Sequence, residues 1–165
     1  AVDPINVYGL SKLRGEEAIQ RIEPNAIIIR TSWVYSTYGN NFVKTMIRLM
    51  TEREEISVIN DQVGSPTYAY DLANAIVSII ESKDWKPGIY HYSNEGEISW
   101  FDFASAIKEI KQFGCKINAI PTTAYPTPAK RPKFSLLDKS KIKSDYNLQI
   151  PEWRASLELM ISKLN

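Results

Sequence analysis

Cysteine and histidine are almost absent from this sequence of 165 residues, which contains one of each. The single Cys115 cannot form a disulfide within the chain, and one cysteine with one histidine is too few for a set of zinc ligands. The sequence also offers no serine, histidine and acid set of the kind that hydrolases use. It therefore predicts neither a disulfide-stabilised fold nor a zinc enzyme or hydrolase.

A surplus of charge is lacking as well. The sequence contains 20 basic and 19 acidic residues, which leaves a net charge of +1. No overall field therefore attracts nucleic acid or an acidic membrane. The sequence contains no apolar run long enough to span a bilayer. Together with the lone cysteine, these features predict a cytoplasmic protein that binds neither nucleic acid nor membrane.

Glycine is scarce, with seven residues, and none of them forms the Gly-x-Gly-x-x-Gly loop that approaches a dinucleotide pyrophosphate in a Rossmann fold. The chain opens at Ala1 without an initiator methionine and enters a helix pattern with no strand before it. We therefore expect these residues to be a piece of a longer protein.

What the sequence does contain is an alternation of helix and strand patterns. Apolar spacing predicts a helix from Val7 to Ile22, and the β-branched run over 26–29 predicts a strand covered on both faces. Further strand patterns lie at 56–59, 88–92 and 116–120, helix patterns at 40–51, 71–80 and 99–113, a proline-rich loop at 121–132, and helix starts near Asp138 and Pro151. The alternation predicts an α/β fold with mostly parallel pairing, in a sheet that is only partial.

Tyr8 and Lys12 stand four residues apart in the first helix pattern, so their side chains share one helix face. An ammonium group a few ångströms from a phenol stabilises the phenolate, which eases proton transfer from the tyrosine hydroxyl near neutral pH. Such a tyrosine can protonate a carbonyl oxygen while hydride arrives at the carbonyl carbon. Alone, the same spacing also fits a partly exposed helix face.

The surroundings of this pair are more specific than the pair itself. The distinctive segments are Asn6-Val-Tyr-Gly-Leu-Ser-Lys-Leu-Arg-Gly-Glu16, Arg30-Thr-Ser-Trp-Val-Tyr35, Asp61-Gln-Val-Gly-Ser-Pro-Thr67, Gly88-Ile-Tyr-His-Tyr92, Ser99-Trp-Phe-Asp-Phe-Ala104, and Arg131-Pro132 with Ser135, Leu137 and Asp138. In order and spacing, over nearly the whole chain, they resemble the extended short-chain dehydrogenase/reductase family, and its dTDP-4-dehydrorhamnose reductase branch in particular.

The resemblance implies a partial Rossmann-like parallel sheet with helices, joined to the smaller C-terminal substrate-binding subdomain. It implies NADPH-dependent reduction of the C4 ketone of dTDP-4-dehydro-L-rhamnose to dTDP-L-rhamnose. Tyr8 would donate the proton and Lys12 would bind the nicotinamide ribose. The NADP-binding half and a third catalytic Ser or Thr would precede Ala1, so these 165 residues alone would bind cofactor poorly and turn over negligibly.

The remaining candidates follow predicted strands, where open α/β sheets bind ligands. The Trp33 indole could cover the apolar face of a sugar or pack in the core, and Thr31 would lie near the nicotinamide. Gln62 and Ser65 could hydrogen-bond the sugar nucleotide or serve only as turn residues. The guanidinium of Arg131 could bind the diphosphate, or belong to a solvated basic patch with Lys130.

Two alternatives stay open at this stage. A sister sugar-nucleotide epimerase or dehydratase shares the tyrosine and lysine, and a homologous non-catalytic branch binds and modulates a methionine adenosyltransferase. Some relatives in the family form homodimers with a magnesium ion, although no acidic cluster in this sequence indicates a metal site. Residues before Ala1 would separate a dehydratase from a reductase.

Overall fold

The computed structural model describes residues 2–127 and 131–164, in which helices and strands alternate. The helices are α1 (Val7–Ile22), α2 (Phe42–Glu52), α3 (Ala69–Glu81), α4 (Trp100–Lys111), α5 (Ser140–Tyr146) and α6 (Trp153–Ser162), with a 3-10 turn at Thr122–Ala124. The strands are β1 (Ile27–Thr31), β2 (Val34–Tyr35), β3 (Glu55–Ile59), β4 (Val63–Gly64), β5 (Thr67–Tyr68), β6 (Gly88–Tyr92), β7 (Ile98–Ser99) and β8 (Lys116–Ile120). The predicted α/β class is confirmed.

The strands of the described residues pair two by two. β1 runs parallel to β6, with Ile27 opposite Gly88 and Thr31 opposite Tyr92. β3 pairs with β8 and β2 with β5, both in parallel, whereas β4 and β7 are antiparallel. Parallel pairing therefore predominates, as the sequence predicts. Because β1 leads into β2 through a short bend, the carboxyl end of β1 lies close to β5.

Side-chain caps determine where three helices begin. The Asn6 side chain accepts a hydrogen bond from the Gly9 amide at 2.7 Å and starts α1. Asn41 caps α2 in the same way, where the sequence allows either Asn40 or Asn41 as the cap. Ser99 and Asp102 form a capping box at the start of α4, with reciprocal bonds of 2.8 and 3.1 Å between backbone amides and side chains. Such caps satisfy helix amides that would otherwise lack partners.

The last helix begins later than expected. The sequence predicts Pro151 in its first turn, but α6 starts at Trp153 and Pro151 lies outside it. The Pro151 carbonyl instead accepts hydrogen bonds from the Glu95 amide at 2.9 Å and from the Asn94 side chain at 3.3 Å. These contacts hold the backbone extended up to Glu152, so the prediction for Pro151 is wrong. Similarly, α4 ends at Lys111 and not at 113, since Gln112 adopts the left-handed conformation.

Two groups of buried apolar side chains form the core. The first packs α2, α4 and α6 around β3, and its most deeply buried members are Val43, Phe103, Ile107, Leu157 and Met160. The second lies between α3, α5 and the β1/β6 pair, and contains Ala75, Ile79, Tyr90, Tyr92 and Ile142. Within the described ranges, no helix is both long and apolar enough to cross a membrane.

Asp71 anchors a buried hydrogen-bond network between α3 and α6. The sequence predicts this carboxylate in the first turn of a helix, and it does lie there. One of its oxygens also accepts from the Asn94 amide group at 2.7 Å and from the Ser156 hydroxyl at 2.5 Å. The Asn94 side-chain oxygen in turn accepts from the Tyr68 backbone amide at 2.7 Å. The network therefore ties the residues after β6 to both helices.

Glu95 joins the same region to α5 through two lysines. Its carboxylate lies 3.1 Å from the Lys139 ammonium and 2.9 Å from the Lys143 ammonium. Burial by itself would raise the pKa of Glu95, but the hydrogen bonds from Lys143 and Lys139 outweigh it and hold the pKa below its usual value. A carboxylate with a lowered pKa stabilises the folded state at neutral pH, and that contribution is lost as the pH falls through the folded-state pKa.

Replacing Glu95 by Gln is accordingly expected to lower the unfolding free energy at neutral pH by about 1–3 kcal/mol, because Lys139 is buried and loses its counter-charge. The difference from the unmodified protein should shrink below about pH 4.3, where an unfolded glutamate is protonated. Urea unfolding at both pH values measures this. Glu109→Gln, which breaks an exposed pair with Arg154, should change stability by less than about 1 kcal/mol. A Glu95→Gln effect that does not vary with pH would contradict the assignment.

Candidate functional site

A cleft of about 630 Å³ opens beside the carboxyl ends of β1 and β3. Five residues singled out from the sequence line it together: Tyr8, Thr31, Trp33, Gln62 and Arg131. They come from segments far apart in the chain, so the fold brings the predicted residues to one place. Among the other lining residues are Ser32, Trp100 and Ser135. The cleft is therefore the candidate site.

Tyr8 and Lys12 lie on one face of α1, as their spacing predicts. Tyr8 is 70% exposed, and the Lys12 ammonium lies 5.4 Å from the centre of its ring. α1 itself is held against β1 by Arg30, whose guanidinium donates two hydrogen bonds to the Glu16 carboxylate, one of them at 2.8 Å. This ion pair links the helix that carries Tyr8 to the strand that carries Thr31.

The bend between β1 and β2 is fastened to the loop around β5 by three hydrogen bonds. The Thr31 hydroxyl donates to the Thr67 hydroxyl at 3.0 Å. The Ser32 hydroxyl donates to the Ser65 carbonyl at 3.0 Å. The Thr67 amide donates to the Trp33 carbonyl at 3.2 Å. The segments 30–35 and 61–67, which are separate motifs in the sequence, therefore form one structural unit.

Trp33 lies neither in the core nor free on the surface. Its indole is partly buried and stacks on Trp100, with the ring centres 3.7 Å apart and the planes 14° from parallel. Trp100 is the first residue of α4, where the capping box holds it. The sequence does not single out Trp100 as a site residue, because no local pattern relates it to Trp33. An aromatic residue directly after a helix cap is the one signal that points to it.

Gln62 lines the cleft and is 4% exposed. Its amide group donates to the Thr122 hydroxyl at 3.1 Å, and Thr122 donates both its hydroxyl and its backbone amide to Asp61. The hydroxyl bond is the main cause that lowers the pKa of Asp61. These contacts fix the Gln62 side chain against the 3-10 turn, so its orientation does not depend on a ligand.

Ser65 is the predicted site residue that the structure turns away from the cleft. Its side chain is fully buried, and its hydroxyl donates to the Asn94 carbonyl at 2.5 Å. Because that hydroxyl is committed inside the protein, Ser65 supports the loop and does not line the cleft. Lys12 is likewise outside the cleft lining, and its ammonium group lies beside the Tyr8 ring.

Arg131 reaches the cleft because the segment after the proline-rich loop follows β4. The Val63 amide donates to the Lys133 carbonyl and the Ser135 amide donates to the Val63 carbonyl, each at 2.8 Å. These bonds bring residues 131–135 alongside the strand and place a guanidinium at the cleft. Lys130, which the sequence groups with Arg131, is one of the residues 128–130 that lie outside the described residues.

The lining gives the cleft a definite chemical character. A phenol hydroxyl, an indole and a guanidinium come together, which suits a ligand with a polar reactive group, a ring and a negative charge. Within the described part of the chain, no group of three or more His, Cys, Asp or Glu residues could hold a metal ion.

Comparison with known proteins identifies the family to which a chain with this site is similar. The family model described as RmlD substrate binding domain matches residues 1–165. The chain is 44% identical to the dTDP-4-dehydrorhamnose reductase of Escherichia coli strain K12 over 173 aligned positions, which cover 99% of this chain and 58% of that protein. It spans slightly more than half the length of such relatives.

Solved structures of this reductase also resemble the chain. A crystal structure of dTDP-4-dehydrorhamnose reductase from Bacillus anthracis in complex with NADP matches with a TM-score of 0.92 and 42% identity, over 99% of this chain and 57% of that one. A UDP-glucuronic acid 4-epimerase from Bacillus cereus in complex with UDP-glucuronic acid and NAD matches with a TM-score of 0.81 over 98% of this chain and 53% of that one. At 20% identity, the second match shows a shared fold alone.

Proposed function

The chain belongs to the RmlD substrate-binding-domain family, and on that basis we propose that the whole protein reduces the C4 ketone of dTDP-4-dehydro-L-rhamnose with NADPH to form dTDP-L-rhamnose. The observation that carries the proposal is the convergence of Tyr8, Trp33 and Arg131 in one cleft. The similarity to a reductase crystallised with NADP supports the cofactor. These residues would constitute the substrate-binding portion of a longer enzyme.

The proposed chemistry assigns the proton to Tyr8. NADPH, when bound, supplies the hydride that adds to C4. The Tyr8 hydroxyl then delivers a proton to the ketone oxygen, and the adjacent Lys12 ammonium stabilises the phenolate that remains. Both groups are donors on one helix face, which suits the hydroxyls of a nicotinamide ribose, and Thr31 offers a further hydroxyl nearby. These three side chains would contact the nicotinamide end of the cofactor.

The substrate is assigned to the remaining lining residues. Trp33 would pack against the sugar ring, and the guanidinium of Arg131 would bind the diphosphate through paired hydrogen bonds. Gln62 would contact the sugar nucleotide from its fixed position against Thr122. Ser65 would contribute indirectly, by holding the loop that Ser32 and Trp33 contact. We propose that the whole protein acts in the cytoplasm, where the free thiol of Cys115 is kept reduced.

An assay of the whole protein with defined substrates tests this function. NADPH oxidation is expected with dTDP-4-dehydro-L-rhamnose, with dTDP-L-rhamnose identified as the product by NMR. Interconversion of sugar nucleotides without net consumption of NADPH would instead indicate an epimerase, and loss of water from the sugar would indicate a dehydratase. The absence of turnover, together with a stable complex with a methionine adenosyltransferase, would favour a regulatory subunit.

Lys12→Ala provides a second test of the assignment. Without the ammonium group, the phenolate of Tyr8 loses its stabilising charge and the cofactor loses a donor, so kcat/KM for NADPH should fall about 100-fold. Steady-state kinetics with varied NADPH measures this. Arg21→Ala removes an exposed cation from the last turn of the same helix and should leave the kinetics unchanged. Equal kinetics in the two variants would mean that Lys12 is only a surface residue of α1.

A further inference from the structure

Trp33 adopts a backbone conformation that needs an explanation. Its φ angle is +48°, in the left-handed region that bulky residues rarely occupy. A bulky residue is energetically unfavourable in this conformation and persists there only when the surrounding contacts enforce it. Since Trp33 also lines the cleft, the contacts that enforce its conformation determine where the indole meets a ligand.

Trp100 supplies one of these contacts. Its ring stacks on the Trp33 indole at 3.7 Å, and it is itself held by the ring of Phe42, whose centre lies 4.6 Å away. The capping box of α4 fixes the backbone beneath it. Trp100 is thus a supported platform and not a second mobile ring.

Gly64 allows the second contact, because it has no side chain between the β4 backbone and the Trp33 indole. A Cβ atom at this position would lie 3.0 Å from both Cε2 and Cζ2 of Trp33 and 2.6 Å from the Ser135 hydroxyl oxygen. The backbone of β4 therefore approaches the indole as closely as a residue without a side chain allows. The Thr67 amide, bonded to the Trp33 carbonyl, holds the backbone from a third direction.

We infer that Trp100 and Gly64 are positioning residues, which hold the Trp33 indole in the single orientation that lets the cleft bind its sugar next to Tyr8. The inference rests on the proposed function for the identity of the ligand. It deepens that function, because it makes the stacked pair a determinant of affinity for the sugar and not of cofactor binding. Neither residue needs to touch the substrate.

Kinetics separate positioning from direct contact. Trp100→Leu in the whole protein should raise the KM for the sugar nucleotide roughly tenfold, the effect of one lost aromatic stack, and leave the KM for NADPH unchanged. In a Trp33→Ala background the same replacement should add nothing, because the ring that it positions is gone. A full additional tenfold rise in that background would show that Trp100 binds substrate itself, and would overturn the inference.

NMR of the unliganded protein provides a readout that needs no turnover. Tryptophan can be labelled with fluorine, and the Trp33 resonance is identified by its loss in Trp33→Phe. We expect this resonance to shift in both Trp100→Phe and Gly64→Ala, while that of the exposed Trp85, which does not line the cleft, stays in place. Gly114→Ala is the matched control, since nothing lies within 4 Å of its added Cβ.

The kinetic assay and the fluorine spectra distinguish an error in the proposed function from an error in the positioning inference. If the unmodified protein does not reduce the dTDP-linked ketone, the proposed function is wrong, and the fluorine spectra still test the positioning of Trp33. If reduction proceeds but the Trp33 resonance stays unmoved in both folded variants, the positioning inference is wrong and the function stands. Retention of the fold in each variant is checked by thermal unfolding. Trp100→Phe keeps an aromatic ring against Phe42 and limits the loss of core packing.

Discussion

Replacing Tyr8 by Phe in the whole protein should lower kcat for ketone reduction by about 1,000-fold, within the range that a positioned acid contributes. The substitution removes one oxygen atom and keeps the ring beside Lys12. Because Tyr8 is 70% exposed, the loss of its hydroxyl leaves no buried group without a partner, and stability should be unaffected. Stopped-flow and steady-state measurements of NADPH oxidation give the size of the effect.

The KM for the sugar nucleotide is the internal check on this result. It should stay within about threefold of the unmodified value, since a proton donor acts chiefly in the transition state. Tyr70→Phe is the matched control: this tyrosine is half exposed on α3 and is not part of the cleft lining. Undiminished turnover in Tyr8→Phe would refute the assigned proton donor, whatever the substrate.

The second large effect is expected on stability, from Asp71→Ala. The alanine would remove the acceptor that the Asn94 amide and the Ser156 hydroxyl share, both of them buried. The Asn94 amide keeps the Pro151 carbonyl and the Ser156 oxygen as acceptors, whereas the Ser156 hydroxyl loses the acceptor of its proton. An unsatisfied buried donor of this kind costs about 1–3 kcal/mol, and α3 also loses the carboxylate in its first turn, worth about 0.3–1 kcal/mol. The free energy of unfolding should therefore fall by about 1–4 kcal/mol. Urea denaturation at neutral pH measures the change.

The control for Asp71 is a carboxylate without such a network. Asp84→Ala removes an exposed partner of Lys86 and should cost less than about 1 kcal/mol. Equal stability of the two variants would mean that the buried bonds of Asp71 contribute little. Because Asn94 also holds Ser65 and Tyr68, the Asp71 variant should in addition loosen the cleft and raise the KM for the sugar nucleotide.

The helices and the longer strands follow from local signals. α1 (Val7–Ile22) and β6 (Gly88–Tyr92) have the predicted bounds, because amphipathic spacing and β-branched or aromatic runs act over neighbouring residues. The two-residue strands β2, β4, β5 and β7 were not predicted. Two residues carry no periodic pattern, and such strands exist only because their partners are brought alongside them by the rest of the fold.

Pro151 illustrates a limit of a different kind. Proline favours the first turn of a helix, and the local prediction follows that preference. In the structure, the Pro151 carbonyl instead accepts hydrogen bonds from the Glu95 amide and the Asn94 side chain. These are residues that lie close in space and far away in sequence, and no local preference contains that information.

The sequence by itself determined the α/β class, the family resemblance, and Tyr8 with Lys12 as a pair on one helix face. Helical spacing and the order of motifs are properties of the chain and do not depend on packing. Only the tertiary structure decided that Ser65 turns inward and that Trp33 is held between Trp100 and Gly64. Side-chain direction and the stacking of distant rings are decided where segments pack, since burial and steric contact, not sequence proximity, select them.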